Sequence, residues 1–574
     1  MTGTFEIRHG TMRWRAADGG DDELAALLAD GLRLDDGRAT VVKQAPHRTV
    51  YRVVLPGVDV HVKHYRGEGR DRVRRLFRAS RGRREFALST EVARRGVPTL
   101  GVVGYADGNQ LLGQLDSWFV TRTLPDAVSL LDFLETTLPG LAADHRAALQ
   151  RRLAEAVGGL LAVQHRAGVC HADLHPGNLL LRLVDDRPEL YLIDLDMVRL
   201  SGPLDWPAAR ANLVVLDRWF ALRWSRTDRR RAWRAYCRGR PELRLDERAV
   251  AAEVEQATHE SLLRQFRAFD DKCFGGNRHF RAISGEGVTG YCVSDLDPAA
   301  VAALLADPDA AFVDPAARSL KRSPSSTVVE VPLPGAATLR PVIGKRLPVR
   351  SWRTPWVSLV RPPAALRSYV LGHGLRLRGL PTPRPLAVVH RRRFGLLCEG
   401  YLLVEKVPDA VDLAGFLDTL GGMPPPEYRR RLRAVVDELA TLLLRLHRWR
   451  LSHRDLKAGN LLVSPAEWTI SVRGVRDLPP DPVAPRDRVW FVDLHGLRRQ
   501  RQVGKPRRVR DLSRLHLSFL AHPGLTRGDR LRFLLGYLGR TEYAGGGWKS
   551  WWREVEAEAQ AKARKLRALG RVIG

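Results

Sequence analysis

Apolar and polar positions along the chain fall into strand-like and helix-like stretches that together predict an α+β protein. Thr40–Val54 and Val58–Tyr65 read as strands, and an arginine-rich helix follows at about Arg70–Arg95. A turn at Gly96-Val97-Pro98 leads to a strand near Ser117–Arg122. A long helix, about Ala143–His165, ends at a polar His-Ala-Asp loop. Two short apolar strands, Leu179–Leu183 and Leu190–Ile193, flank the turn beyond it. The region after about residue 205 is helical, and Trp219, Trp224 and Trp233 recur there at loosely helical intervals that mark packing. Further on, Asp270–Val293 predicts extra strands, Asp295–Ala306 an amphipathic helix, and the Pro-rich Leu478–Pro485 a loop.

The pattern occurs twice. His171-Ala172-Asp173-Leu174-His175-Pro176-Gly177-Asn178 returns as His453-Arg454-Asp455-Leu456-Lys457-Ala458-Gly459-Asn460, displaced by 282 positions. Lys63 in VHVKHY and Lys345 in VIGKRL keep the same displacement. Gly96-Val97-Pro98-Thr99 recurs as Gly379-Leu380-Pro381-Thr382, and Pro125-Asp126-Ala127-Val128 as Pro408-Asp409-Ala410-Val411. A period this long exceeds that of solenoid repeats and predicts two copies of a whole domain, 1–260 and 261–574.

Each copy holds the parts that phosphoryl transfer requires: a carboxylate for the attacking hydroxyl, oxygen ligands for magnesium, and a cation for the nucleotide phosphates. In the first copy these are Asp173, then Asn178 and Asp194, and Lys63. In the second they are Asp455, then Asn460 and Asp493, and Lys345. Asp493 comes later in its copy because an insertion, Pro465–Arg488, precedes it. A lone His-x-Asp-x-x-x-x-Asn pattern would more often be a loop aspartate capping a helix. Two copies, each with a lysine 110 residues upstream, favour chemistry. His171 and His453 read as residues that orient the loop.

These residues resemble the protein-kinase-like superfamily, and His453 to Asn460 is close to the protein-kinase catalytic loop. His171 to Asn178 followed by Ile193-Asp194-Leu195-Asp196, with Arg378 to Ala387 in the second copy, resembles the bacterial lipopolysaccharide kinases of the Kdo-kinase and core-heptose-kinase type. The likeness covers roughly 40–200 and 320–500. It implies two kinase-like domains in tandem, each with a small β-rich N-lobe and a helical C-lobe. It also implies an ATP- and Mg2+-dependent transfer to a hydroxyl of a glycolipid or sugar acceptor. Aminoglycoside- and choline-kinase-type phosphotransferases share the Asp-x-x-x-x-Asn loop, so a small-molecule or protein kinase stays open, as does a pair of degenerate kinase folds acting as a scaffold.

No GxGxxG lies between the first strands. Lys43 and Lys321 instead each precede a threonine by six residues, in a loop with cations and hydroxyls suited to phosphate. Lys457 reads either as a γ-phosphate contact or as a surface lysine. Glu85 stands where kinases pair a glutamate with the strand lysine. Ser368 stands opposite it in the second copy, so either Lys345 is held otherwise, with Glu399 or Glu405 as candidate partners that the sequence does not place, or that copy is weakly active.

Composition adds constraints. The 574 residues carry a net charge of +30, and only 11 of the 94 basic residues are lysine. Both lysines of the first 270 residues, Lys43 and Lys63, fall at expected phosphate contacts. The positive charge reads either as biased composition or as attraction to an anionic membrane surface. No zinc-finger spacing or aromatic-basic RNA-binding signature accompanies it, so specific nucleic-acid binding is not expected. Five scattered cysteines fit a reducing compartment. With no apolar run of spanning length and no signal pattern at Met1–Glu6, the expected location is cytoplasmic, peripheral on the inner membrane.

Overall fold

A computed structural model describes residues 5–9, 12–16, 39–67, 79–108, 116–315, 317–333, 341–349, 351–464, 488–520, 522–544 and 547–570. The chain divides into two compact units, Met1–Leu262 and Leu263–Gly574. The loop expected at Leu478–Pro485 and nearly all of the Pro465–Arg488 insertion lie outside the described residues.

The first unit opens with strands β1 (Phe5–His9), β2 (Met12–Ala16), β3 (Ala39–Ala45), β4 (Arg48–Leu55) and β5 (Val58–Tyr65). Helix α1 (Arg81–Arg94) and strands β6 (Val102–Asp107) and β7 (Ser117–Arg122) follow. The seven strands form one sheet in the order β1-β2-β6-β7-β5-β4-β3. The two-residue period of β5 puts Val58, Val60 and Val62 into the core and leaves Lys63 on the other parity. Of the arginine-rich helix expected from residue 70, the described part begins at Arg81, where the Ser80 side chain caps the N–H of Arg83. The β1–β2 hairpin was not part of the sequence reading.

A helical lobe follows. It starts with β8 (Ala127–Ser129) and α2 (Ala143–Arg166), whose Leu149, Leu153, Val157, Leu160 and Leu161 form a helical stripe in the core. Then come β9 (Val169–His171), β10 (Leu179–Val184), β11 (Arg187–Leu192), β12 (Val198–Leu200), α3 (Trp206–Arg223) and α4 (Arg226–Gly239). Trp224 and Trp233 are buried in this core, in keeping with a packing role.

The second unit repeats the plan. Strands β13 (Phe280–Gly285), β14 (Val288–Val293), β15 (Arg318–Ser323), β16 (Ser326–Pro332), β17 (Pro341–Pro348), β18 (Pro385–Arg393) and β19 (Leu396–Glu405) pair as β13-β14-β18-β19-β17-β16-β15. This is the order of the first sheet. Helix α5 (Ala364–Leu377) stands where α1 does, between the third hairpin strand and the last two strands. The lobe behind it holds α6 (Pro425–Arg448), β20 (Leu451–His453), β21 (Leu461–Ser464), β22 (Arg488–Phe491), β23 (Leu497–Arg499), α7 (Lys505–Leu517), α8 (Arg527–Ala544) and α9 (Trp548–Ala568). Two kinase-like units in tandem, each with a β-rich and a helical lobe, are thus present. All five cysteines are free thiols.

Candidate active sites

In the first unit, the β4–β5 ladder pairs Lys63 with Val50 and aims its side chain towards α1. Its Nζ lies 2.5 Å from Glu85 Oε1 and 3.2 Å from Asp194 Oδ1. Glu85 is 1% exposed and accepts a second hydrogen bond from the Tyr65 hydroxyl. Burial disfavours the Lys63 ammonium, yet the charges of Glu85 and Asp194 outweigh it and raise its pKa. Burial likewise opposes ionisation of Asp194, but the Lys63 charge and a hydrogen bond from Arg48 hold that carboxyl well below the usual range.

The Asp194 carboxylate is placed by its backbone, which is left-handed at φ 61°, as is that of Asp493 at φ 53°. Aspartate tolerates this region better than most residues. The repeated Gly-x-Pro-Thr patch explains how the preceding strand is held. The Thr99 hydroxyl donates to Leu192 O at 2.8 Å, and the Thr382 hydroxyl to Phe491 O at 2.7 Å.

The Asp-x-x-x-x-Asn loops have matching geometry. Asn178 Nδ2 donates to Asp173 O at 2.8 Å, and Asn460 Nδ2 to Asp455 O at 2.7 Å. With the amide nitrogen so engaged, each Oδ1 is left to accept a cation. His171 Nδ1 accepts the Asp173 N–H at 3.2 Å, and His453 Nδ1 the Asp455 N–H at 3.3 Å, which is the orienting role read from the sequence. The aspartates of these loops are exposed, Asp173 by 66% and Asp455 by 55%, and so are open to a molecule in solution. Lys457 Nζ is 3.4 Å from Asp455 Oδ2, and His175 takes the same place in the first unit, 3.8 Å from Asp173 Oδ2.

The second unit differs at its lysine. Lys345 Nζ reaches Asp493 Oδ1 at 2.5 Å. Burial opposes ionisation of Asp493, and the Lys345 charge lowers its pKa regardless. Ser368 is buried and donates to Ala364 O within its own helix. The expectation that Glu399 or Glu405 compensates is overturned: Glu399 binds Arg346 at 2.6 Å and Glu405 faces Arg384 at 3.4 Å.

Lys43 and Lys321 stand at the same bulged position of β3 and β15, both exposed. The charge of Lys321 acts on Asp493. Among the described residues, Lys43 makes no hydrogen bond or ion pair to Asp194, whose partners are Arg48 and Lys63. Arg48, from the same hairpin, occupies that place at 2.8 Å from Asp194 Oδ1. The sequence reading missed Arg48, Tyr65, and the pair Asn212 and Asp511. Asn212 Nδ2 donates to His171 O at 2.7 Å, and Asp511 Oδ2 accepts the His453 N–H at 2.9 Å. Extending the repeat beyond Asp194 would have found that pair, since each lies five residues after the proline that starts its helix.

A magnesium ion fits this donor set. It takes one or two protein oxygens and completes its shell with water and substrate phosphates. Asn178 with Asp194, and Asn460 with Asp493, supply two hard oxygen ligands each. No group of three or more His, Cys, Asp or Glu side chains arranged for a metal occurs among the described residues.

Residues 35–236 and 357–537 each match the model of the lipopolysaccharide kinase (Kdo/WaaP) family. Lipopolysaccharide core heptose(I) kinase WaaP of Pseudomonas aeruginosa is 28% identical over 196 residues, which cover 34% of this chain and 62% of that protein. A 3-deoxy-D-manno-octulosonic acid kinase of Haemophilus influenzae is 31% identical over 90 residues, covering 16% of this chain and 34% of that protein. The chain therefore spans less than two thirds of the length of these relatives. A solved structure of WaaP in complex with acyl carrier protein aligns over 42% of this chain and 88% of its own at 24% identity, with a TM-score of 0.29.

Proposed function

Because the chain belongs to the lipopolysaccharide kinase (Kdo/WaaP) family through both of its halves, we propose that it transfers the γ-phosphoryl group of ATP to a hydroxyl of a lipopolysaccharide core or Kdo-type sugar. Asp173 and Asp455 accept or orient the hydroxyl proton. Lys63, held by Glu85, and Lys345 contact the α- and β-phosphates, with Lys43, Lys321 and Lys457 as further phosphate contacts. Asn178 and Asp194, and Asn460 and Asp493, would hold Mg2+, which would supply positive charge to offset that developing on the phosphates. The acceptor is a glycolipid or its sugar. The basic surface meets the anionic cytoplasmic leaflet, each Lys or Arg near it adding about 1 kcal/mol. No described helix is long and apolar enough to cross a membrane.

The observation that carries this reading is the Lys63–Glu85–Asp194 constellation beside an Asp173–Asn178 loop, since a merely structural aspartate needs no buried lysine–glutamate pair at its side. The test uses the full-length chain with labelled ATP and cell-envelope glycolipid. Transfer should fall when Asp173 or Asp455 is changed to alanine and vanish when both are. Full transfer by the double variant sinks the reading. Ser368 favours a second reading for the second unit alone, as a nucleotide-binding scaffold; the Asp455→Ala variant then loses nothing.

A further inference from the structure

The two units are built alike, so positions where they differ in charge around one shared scaffold are informative. Across the β20–β23 ladder Arg498 pairs with Ser452, as Arg199 pairs with Cys170 across β9–β12. The sequences of α7 and α3 align residue for residue from Pro506 and Pro207, which places Asp511 opposite Asn212, the residues that hold the two loops. On that alignment the second unit carries Arg454, Arg507, Arg510 and Arg514 where the first carries Ala172, Ala208, Ala211 and Val215. The fold thus needs no cation at any of the four.

In the second unit these arginines gather beside the catalytic loop. Arg454 adjoins Asp455, and its N–H donates to Gly496 O at 2.9 Å. Arg507 donates to the Ser452 hydroxyl at 3.1 Å, and its Nη2 is buried with no hydrogen-bond partner among the described residues. Among the described residues, Arg498 donates to two carbonyls, His495 O at 2.7 Å and Leu497 O at 2.8 Å. Arg507, Arg510 and Arg514 recur on α7 at the spacing of one helix face. Asp511 is the carboxylate among them, 3.7 Å from Arg507 and 3.4 Å from Arg514. Burial lowers the pKa of Arg498, and its neighbours Arg367, Arg454 and Arg507 lower it further. Lys562 of α9 feels Arg514, Asp455 and Lys457, which puts it at the same place. Like charges held this close repel unless something anionic joins them.

We propose that Arg454, Arg498, Arg507 and Arg510 form an anion subsite of the second unit, which holds an oxyanion group of the acceptor, a phosphate or a carboxylate, beside Asp455. The proposal rests on the kinase reading for the word acceptor, and on the geometry alone for the anion. The arginine fork suits either group through paired N–H donors. The first unit, with alanine and valine there, takes an acceptor by other means, so the two units differ in the substrate they select.

The test saturates the full-length chain with a non-hydrolysable ATP analogue and Mg2+, then titrates inorganic phosphate and, separately, acetate. Wild-type protein should bind phosphate. The triple variant Arg454→Ala, Arg507→Ala, Arg510→Ala, which installs residues the first unit already tolerates, should bind it about tenfold or more weakly. Removing the same charge at exposed Arg429, Arg430 and Arg433 of α6 should change nothing. Tighter binding of phosphate than of acetate assigns the subsite to a phosphorylated acceptor, and the reverse to a sugar carboxylate. In transfer assays the triple variant should raise the KM for glycolipid and leave that for ATP unchanged. Equal phosphate affinity in the triple variant and wild type overturns the proposal, as does an equal loss in the control variant. A wild-type chain that binds phosphate at these arginines yet transfers nothing would count against the kinase reading instead.

Discussion

Arg48 and Asp194 are hydrogen bonded, Nη1 to Oδ1 at 2.8 Å, on the same carboxylate oxygen that Lys63 reaches at 3.2 Å. Two cations therefore sit where the proposed metal must bind in the first unit. In the second unit Ser326 takes the register position of Arg48 after the hairpin turn, so among the described residues Lys345 is the cation hydrogen bonded to Asp493 Oδ1.

Arg48→Ala should therefore make Asp194 easier for a divalent cation to reach. A charge-assisted hydrogen bond is worth about 1.5–3 kcal/mol, so affinity for Mn2+ should rise on the order of tenfold. Titration of the nucleotide-free chain followed by electron paramagnetic resonance reads this directly. Unchanged affinity would mean that Arg48 leaves Asp194 at no cost.

Among the described residues, Lys63 has two carboxylate partners and Lys345 has one. Alignment of phosphates depends on a lysine held in place, so Lys63→Met should abolish most phosphoryl transfer and Lys345→Met should remove less. Lys63→Met also strands the buried Glu85, at a cost of about 3–5 kcal/mol visible in urea unfolding. Glu85→Gln separates the two effects, since it keeps the shape and loses the charge. If the Lys345 change proves the more damaging, Asp493 alone suffices to position that lysine and the second unit is the main catalyst.

Much of this was legible beforehand. Helix α2 and strand β7 were visible because their apolar spacing is long and regular, and the paired lysines, aspartates and asparagines because duplication repeats them at a fixed distance. Arg48 was not legible. One arginine among so many carries no signal until a hairpin folds it over a carboxylate from a distant strand. The compensating roles expected of Glu399 and Glu405 failed for a related reason. Membership of β19 did not tell which neighbour each carboxylate takes, and Arg346 and Arg384 claim them. The β1–β2 hairpin was too short to stand out, and it exists through its pairing with β6.

The buried histidines make the fold sensitive to acid. His165 is fully buried, with Nε2 donating to Asn212 Oδ1 and Nδ1 accepting from the Tyr236 hydroxyl, both at 3.1 Å, which fixes the neutral form. Burial pushes its pKa down to about 4, below the ordinary 6.5. The unfolded chain therefore binds a proton first as pH falls. The stability His165 contributes is present above pH 6.5 and is lost as pH drops towards 4, by up to about 3 kcal/mol. His447 and His453 are lowered by burial in the same direction. Urea midpoints should fall steadily from pH 7 to pH 4.5, and His165→Gln should flatten the first unit's share of that slope.

The net charge of +30 has its own test. If it serves an anionic leaflet, the chain should bind vesicles containing phosphatidylglycerol and release them as salt rises, because exposed charges are screened beyond about 10 Å at 0.1 M. Equal binding to purely zwitterionic vesicles, or none to either, returns the charge to biased composition.

Asn212 and Asp511 do one job with opposite polarity, and the reason lies in their neighbours. Asn212 donates to a carbonyl and accepts from His165 and Gln164, with Ala208 and Val215 at the places of Arg507 and Arg514. Asp511 is fully buried, accepts the His453 N–H and faces both of those arginines. Asp511→Asn keeps the acceptor but removes the charge, which leaves two partly buried guanidinium groups uncompensated. Breaking a buried pair in this way costs about 3–5 kcal/mol. The second unit should then unfold earlier in a thermal scan while the first does not. Adding Arg507→Ala and Arg514→Val to the same chain recreates the first unit's surroundings and should restore most of the loss, a non-additivity that neighbouring charges produce and independent sites do not. If the added changes give no rescue, the loss does not come from those two arginines, and the contact of the Asp511 carboxylate with His447 Nε2 at 3.4 Å is what the charge supports. In that case Asp511→Ala, which also removes the acceptor for the His453 N–H, should cost transfer by the second unit more than Asp511→Asn does.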